Sequence, residues 1–134
     1  MGDHDGRQWD DGHWSELVDR AEDILTEVAS RPERGRELNT IYYSELNREL
    51  GNPFALGTPR GLSGMSTLLA EVSKRSYADK GVMLSAVVLT KKNGMPGPGF
   101  FKLARDAGWM PPGEENDSFF YGELKRAQKK YREG

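Results

Sequence analysis

The chain contains no cysteine. That excludes a disulfide scaffold, a thiolate zinc site and a thiol nucleophile. Its only histidines are His4 and His13, both in a segment that reads as a tail, so the fold itself has no histidine base to offer. No apolar run approaches the ~18 residues of a membrane-spanning helix. The start, Met1-Gly2-Asp3-His4-Asp5, is too acidic and polar for a secretory signal, and a cytoplasmic location is expected. A large charge of one sign is also missing. The 19 Lys and Arg against 21 Asp and Glu leave a net charge of −2, so the chain lacks the strongly basic balance of many nucleic-acid binders. With 134 residues, 36% of them apolar, it can build one core and not two.

The charge is unevenly arranged. Residues 1–30 hold nine acidic and two basic residues, whereas residues 123–134 hold five basic and two acidic ones. Three arrangements fit: two solvated helix faces, mutual attraction of the two ends, or a basic part facing a polyanion while the acidic helix points away.

Residues 1–13 lack periodicity and are rich in Asp, Gly and His, which describes a flexible acidic tail ahead of a single domain over residues 14–134. Ser15 is a candidate N-cap, and Leu17, Ala21, Ile24 and Val28 form the apolar stripe of a helix that stops near Arg31-Pro32. Thr40 to Tyr43 reads as a short strand. Ser44 caps a short helix over residues 45–50, closed by Gly51. A loop follows over residues 53–61, then a helix from about Ser63 to Ala78 that buries Met65, Leu68, Leu69, Val72 and Tyr77. Val82 to Thr90 is a continuous, valine-rich apolar run that predicts a covered strand. Lys91-Lys92-Asn93-Gly94 predicts a hairpin turn, Met95 to Gly99 an irregular return arm, and Phe100 to Ala107 a short helix stopped by Gly108. In the last helix, capped by Asp117, Phe120, Leu124, Ala127 and Tyr131 share one face.

No catalytic constellation emerges, and the chain is expected to be no enzyme. Ser85 sits in an apolar run without a GxSxG context and reads as a satisfied hydroxyl. Glu45, Glu49 and Glu71 fall on helix surfaces. His4 and His13 with Asp3, Asp5, Asp10 and Asp11 match no metal-ligand spacing, so no metal or other cofactor is expected. The segment Gly94-Met-Pro-Gly-Pro-Gly99 lacks the Gly-Lys-Ser/Thr of a P-loop, and reads as a rigid turn that seats Phe100 and Phe101. Trp9, Trp14, Trp109 and the Tyr42-Tyr43 pair read as core or interface aromatics before base-stacking platforms.

What remains is a helix–loop–helix followed by a basic turn. That order fits an α+β, winged helix-turn-helix-like core with added N-terminal and C-terminal helices. The second helix would present Ser63, Ser66, Thr67, Ala70 and Lys74 on its free face, with hydroxyls for phosphates or base edges. Arg60, Lys74, Arg75, Lys91 and Lys92 would contact phosphates, with Asn93 at the tip of the turn.

Tyr43-Ser44-Glu45-Leu46-Asn47-Arg48-Glu49-Leu50-Gly51, the helix from Leu62 to Val72, and Ala86-Val87-Val88 followed by Asn93-Gly94 carry a resemblance. Over residues 42–94 the chain resembles the winged-helix domain of alkylguanine-DNA alkyltransferases and alkyltransferase-like proteins. The resemblance implies a DNA-binding fold. It does not extend to alkyl transfer: where that family has Pro-Cys-His-Arg, this chain reads Met83-Leu84-Ser85-Ala86, and the arginine expected in the recognition helix is absent. Residues 40–108, with Leu84-Ser85-Ala86-Val87-Val88 and Pro96-Gly97-Pro98-Gly99-Phe100, also resemble small bacterial and phage proteins of no known activity.

The leading expectation is a non-enzymatic double-stranded DNA-binding protein, regulatory or accessory to a phage. The alternative is a protein-interaction module, an inhibitor of a host protein or a small homodimer. It would use the aromatics Trp9, Trp14, Trp109, Phe119 and Tyr121, and the pI of ≈ 5.7 favours it.

Overall fold

The computed structural model describes residues 11–31 and 39–133. The stripe of the first helix is realised in α1 (Asp11–Ser30), which ends just before Arg31-Pro32 as expected. Its start differs. Asp11 is already helical, so Ser15 is an interior residue and not a cap. The reason is tertiary: Trp14 is buried and meets Phe54 edge-on, ring centroids 6.4 Å apart. That contact makes the added turn of helix worth forming, whatever its local propensity. Residues 1–10 of the expected tail, with Trp9, His4 and the aspartates Asp3, Asp5 and Asp10, lie outside the described residues.

β1 (Ile41–Tyr42) is shorter than the expected strand, because Tyr43 already begins α2 (Tyr43–Glu49). The Tyr42 N–H donates to Glu45 Oε1 at 2.9 Å, so Glu45 and not Ser44 satisfies this helix start. Gly51 follows at φ 92, the left-handed conformation expected of a helix stop. Buried Asn47 then fixes the next loop. Its Nδ2 donates to the Phe54 carbonyl at 2.8 Å, and its Oδ1 accepts the Phe54 N–H at 3.2 Å.

α3 (Pro59–Lys80) begins four residues before the expected Ser63. The local signal is Thr58-Pro59. The Thr58 hydroxyl accepts the Gly61 N–H at 3.0 Å, and the proline occupies the first turn, where no N–H is needed. Glycine is required at position 61 because a Cβ would collide with the main-chain carbonyl of Ala55. Gly61→Ala is therefore expected to destabilise the fold by about 1–3 kcal/mol, despite alanine's better helix propensity. Urea unfolding at unchanged m checks this.

The apolar run from Val82 corrects the sequence reading most. It is buried from Val82 to Val88 and half-buried at Leu89 and Thr90, covered on most of its length as expected, yet it is mostly not a strand. Leu84–Val87 form a single 3-10 turn, and only β2 (Val88–Leu89) is extended. Side chains take the place of a ladder. Ser76 Oγ accepts the Leu84 N–H at 2.9 Å and donates to the Val82 carbonyl at 2.7 Å. Ser73 Oγ accepts the Ser85 N–H at 3.1 Å, and Glu123 Oε1 accepts the Met83 N–H at 3.0 Å. A buried backbone must be paired, but it need not be paired to another strand. α1, α3 and α5 (Asn116–Arg132) all pack on this 3-10 turn, which puts it at the centre of the core.

β2 pairs with β1 in parallel, Ile41 opposite Val88 and Tyr42 opposite Leu89. Among the described residues these are the only two strands, so no antiparallel wing forms around residues 91–94. The turn itself does form. Thr90 N–H donates to the Met95 carbonyl at 2.8 Å and Gly94 adopts φ 65. The chain then leaves the ladder, since Pro96 and Pro98 have no N–H to donate. It passes beneath Tyr43, whose hydroxyl accepts the Gly97 N–H at 3.1 Å, and enters α4 (Pro98–Asp106). In α5 the cap position is Glu115, with Asp117 in the first turn and not at the cap; of the expected stripe, Phe120, Leu124 and Ala127 are buried and Tyr131 is half-buried. The fold is helix-rich α+β with a small parallel sheet.

Candidate nucleic-acid interface

The residues singled out from the sequence separate into three groups. Arg60, in the first turn of α3, is exposed, as is Ser63; Thr67 is half-buried and its hydroxyl donates to the Ser63 carbonyl at 3.0 Å. Lys91, Lys92 and Asn93 are exposed on a braced turn, where the Thr90 hydroxyl reaches Asn93 Oδ1 at 2.6 Å. The third group does not serve as expected. Ser66 is half-buried against Gly99 of α4, so close that a Cβ there would strike its hydroxyl. The hydroxyl-bearing flank of α3 is thus open at Ser63 and partly covered at Ser66. Arg75 is committed elsewhere: its Nη1 lies 2.7 Å from Asp19 and 3.1 Å from Glu22 of α1. The hydrogen bond to Asp19 raises its pKa further, and its guanidinium is shared with two carboxylates of α1. Lys74, one residue earlier, is exposed.

The aromatic surface expected for a protein partner is mostly internal. Trp14 and Phe119 are buried, and Trp109 stacks on Tyr77 with centroids 3.9 Å apart and planes 7° from parallel. Of the described residues in that set, Tyr121 alone is well exposed.

Sequence reasoning missed a feature that the fold brings together. Residues 50–70 contain no carboxylate, and neither do residues 80–105, which hold five basic residues. These two stretches meet. A small cavity, ≈ 10 Å³, is lined by Tyr43, Ser66, Ser85, Gly99, Phe100 and Leu103, so the first half of α3, the 3-10 turn and α4 face one another across it. Neither α3 nor α4 has an acidic residue in its own first turn to offset the positive end of its dipole. Glu45, the carboxylate nearest Tyr42, is engaged by that residue's N–H. Charge counted by contiguous stretch, and not summed over the chain, was the available signal.

The interior of this region offers no activated group. The Ser85 and Ser73 hydroxyls are 2.6 Å apart and buried, a mutually satisfied pair. Burial raises the Tyr43 phenol pKa, and the Gly97 N–H works against that shift. The glycine- and proline-rich arm has spent two of its N–H groups internally, Gly97 on Tyr43 and Phe100 on the Gly97 carbonyl. What the arm does is seat Phe100 and Phe101 in the core. A wider groove, ≈ 260 Å³, runs between α1 and the end of α2 past His13, Glu16 and Arg20. There Arg20 caps α2, donating to the carbonyls of Glu49 at 2.9 Å and Leu50 at 3.3 Å. No protein-family model, curated protein or solved structure matches the chain.

Proposed function

We propose that the protein is a non-enzymatic double-stranded DNA binder with the order of parts of a winged helix-turn-helix: α2, α3, then the basic turn over residues 91–94. The observation that carries this reading is the convergence of two carboxylate-free stretches, residues 50–70 and 80–105, around the contact of Ser66 with Gly99. Stretches that carry no carboxylate of their own add no repulsion of the phosphate backbone, even where the whole chain is slightly acidic. Arg60, Ser63, Lys91, Lys92 and Asn93 are among their exposed polar groups.

Since α4 packs closely against Ser66 and leaves it half-buried, α3 does not lie in a groove along its full length. Its first two turns approach the duplex, and the turn grips phosphates beside them. Such binding is dominated by the backbone, with little base readout. Lys91→Ala combined with Lys92→Ala should weaken binding about equally for unrelated sequences. It should also flatten the dependence of log K on log salt by about 2 units, since each phosphate contact contributes about 0.9. Fluorescence anisotropy over a salt series measures both. An unchanged slope would remove the turn from the interface.

A further inference from the structure

We infer that the chain pairs with a second copy of itself through α1 and α5, the acidic face of α1 in each copy lying on the basic face of α5 in the other. It does so independently of any DNA, because neither helix contributes to residues 50–70 or 80–105.

The two faces are opposite in charge. The outer face of α1 carries Glu16, Asp19, Asp23 and Glu27, all exposed, at i, i+3, i+7 and i+11. Arg20, beside them, is turned onto the carbonyls of Glu49 and Leu50. The outer face of α5 carries Lys125, Arg126, Lys129 and Lys130, also exposed. Between Asp117 and Glu133 the only carboxylate of α5 is Glu123, and that one is buried. Glu16 and Asp23 on one helix, and Lys125, Lys129 and Lys130 on the other, make no ion pair among the described residues.

The faces are also neighbours. α1 packs against α5, and the Tyr131 phenol near the end of α5 is pushed up to about 12 by burial and by the Glu22 and Asp79 carboxylates. A two-fold axis between adjoining faces of opposite sign sets each on its complement twice over, which closes the pair. Gly122 fits the same contact. It is exposed in the interior of α5, and a Cβ there would meet nothing within 4 Å. Glycine weakens a helix, and the lone chain gains nothing from it; a helix laid across α5 gains a close approach. Tyr121, 50% exposed beside it, supplies an aromatic edge. Helices of 20 and 17 residues are about 30 and 26 Å long and about 10 Å wide, so the paired faces bury on the order of 1,100 Å² in total. That is near the lower limit of a specific interface, so the dimer is weak and held mainly by charge.

Sedimentation velocity of the full chain without DNA tests this. At low salt the native chain should approach twice its 15.0 kDa as concentration rises. Raising salt from about 0.05 to about 0.5 M should weaken pairing about tenfold or more, because the screening length shrinks from about 14 to about 4 Å. Glu16→Lys with Asp23→Lys reverses the unpaired charges of α1, and Lys125→Glu with Lys129→Glu reverses the centre of α5. Each variant alone should stay monomeric with native circular dichroism, and an equimolar mixture should recover a dimer holding one of each. That recovery separates charge pairing from damage to the fold. A native chain that stays monomeric at low salt, a homodimer that survives either reversal, or folded variants that do not pair when mixed would overturn the dimer.

Discussion

Glu123→Ala is expected to cost about 2–4 kcal/mol of stability, while Glu123→Gln costs about 1 kcal/mol or less. Glu123 is 3% exposed on α5, and it reaches the centre of the fold. One carboxylate oxygen accepts the Met83 N–H at 3.0 Å, and the other meets the Arg126 guanidinium, which also donates to the Gly81 carbonyl. Alanine leaves the buried Met83 N–H without an acceptor, worth about 1–3 kcal/mol, and vacates space worth about 1 kcal/mol more. Arg126 is half exposed and can return to water, so its lost partner adds little. Glutamine keeps both the volume and an oxygen for Met83. Denaturant unfolding of both variants reads the difference, and faster exchange of the Met83 amide in Glu123→Ala should accompany it. Equal losses in the two variants would mean that this hydrogen bond does not hold the 3-10 turn.

The same residue predicts a pH dependence. Burial pushes the Glu123 carboxyl above its ordinary range, against the opposing pull of the Met83 N–H and Arg126. A carboxyl raised in the folded state holds its proton after the unfolded chain has released its own. Its contribution is therefore complete below the ordinary value of about 4.3 and is lost as pH rises through the raised one. The stability of the native chain relative to Glu123→Gln should fall across that interval and stay level above it.

Phe120→Ala should be the most damaging single change, at about 3–5 kcal/mol. The ring is 1% exposed and lies edge-on to Phe100, centroids 6.5 Å apart at 86°. Phe100 in turn meets Phe101 at 5.0 Å and Phe119 at 5.9 Å. Removing Phe120 thus takes away both its own burial and one wall of the cluster that joins α4 to α5, where aromatic pairs add to simple area burial. Neighbours held by this many rings can relax only partly into the space. A loss below about 1 kcal/mol in urea unfolding would show that the α4–α5 junction repacks freely, contrary to this description.

These two residues also mark the boundary of what the chain reveals on its own. Phe120 was evident because Phe120, Leu124, Ala127 and Tyr131 repeat at helical spacing, and helical spacing is a local property. Glu123 was not, because nothing in a charged residue on an amphipathic helix says that it will be drawn inward by a main-chain donor 40 positions away. Ser73 and Ser76 are the same case. They interrupt the apolar face of α3, and only the fold shows that they replace a β-ladder for Leu84 and Ser85. The apolar run from Val82 correctly implied burial, but a short buried run has no period that separates a strand from a tight turn. The start of α3 was readable in principle from Thr58-Pro59, a capping signal that the serine-rich stretch after it obscured. For the candidate interface, Lys91, Lys92 and Arg60 were visible as exposed cations. The engagement of Arg75 by α1 and the partial covering of Ser66 by α4 were not, since both depend on packing between elements distant in sequence.

The DNA-binding reading places the duplex on residues 50–70 and 80–105, and not on the basic end of α5. The two are well separated. Arg126 touches Gly81 at the far end of α3, about 20 Å along the helix from Ser66 at 1.5 Å per residue. The most direct measurement is a salt titration of duplex binding for three chains: the native one, Lys91→Ala with Lys92→Ala, and a charge reversal of Lys125, Lys129 and Lys130 to glutamate. The native chain should show a steep negative slope, the turn variant a slope about 2 units shallower, and the α5 variant a nearly native one. A slope that survives loss of the turn but collapses on reversal of α5, or no salt-dependent binding by the native chain, would contradict that placement.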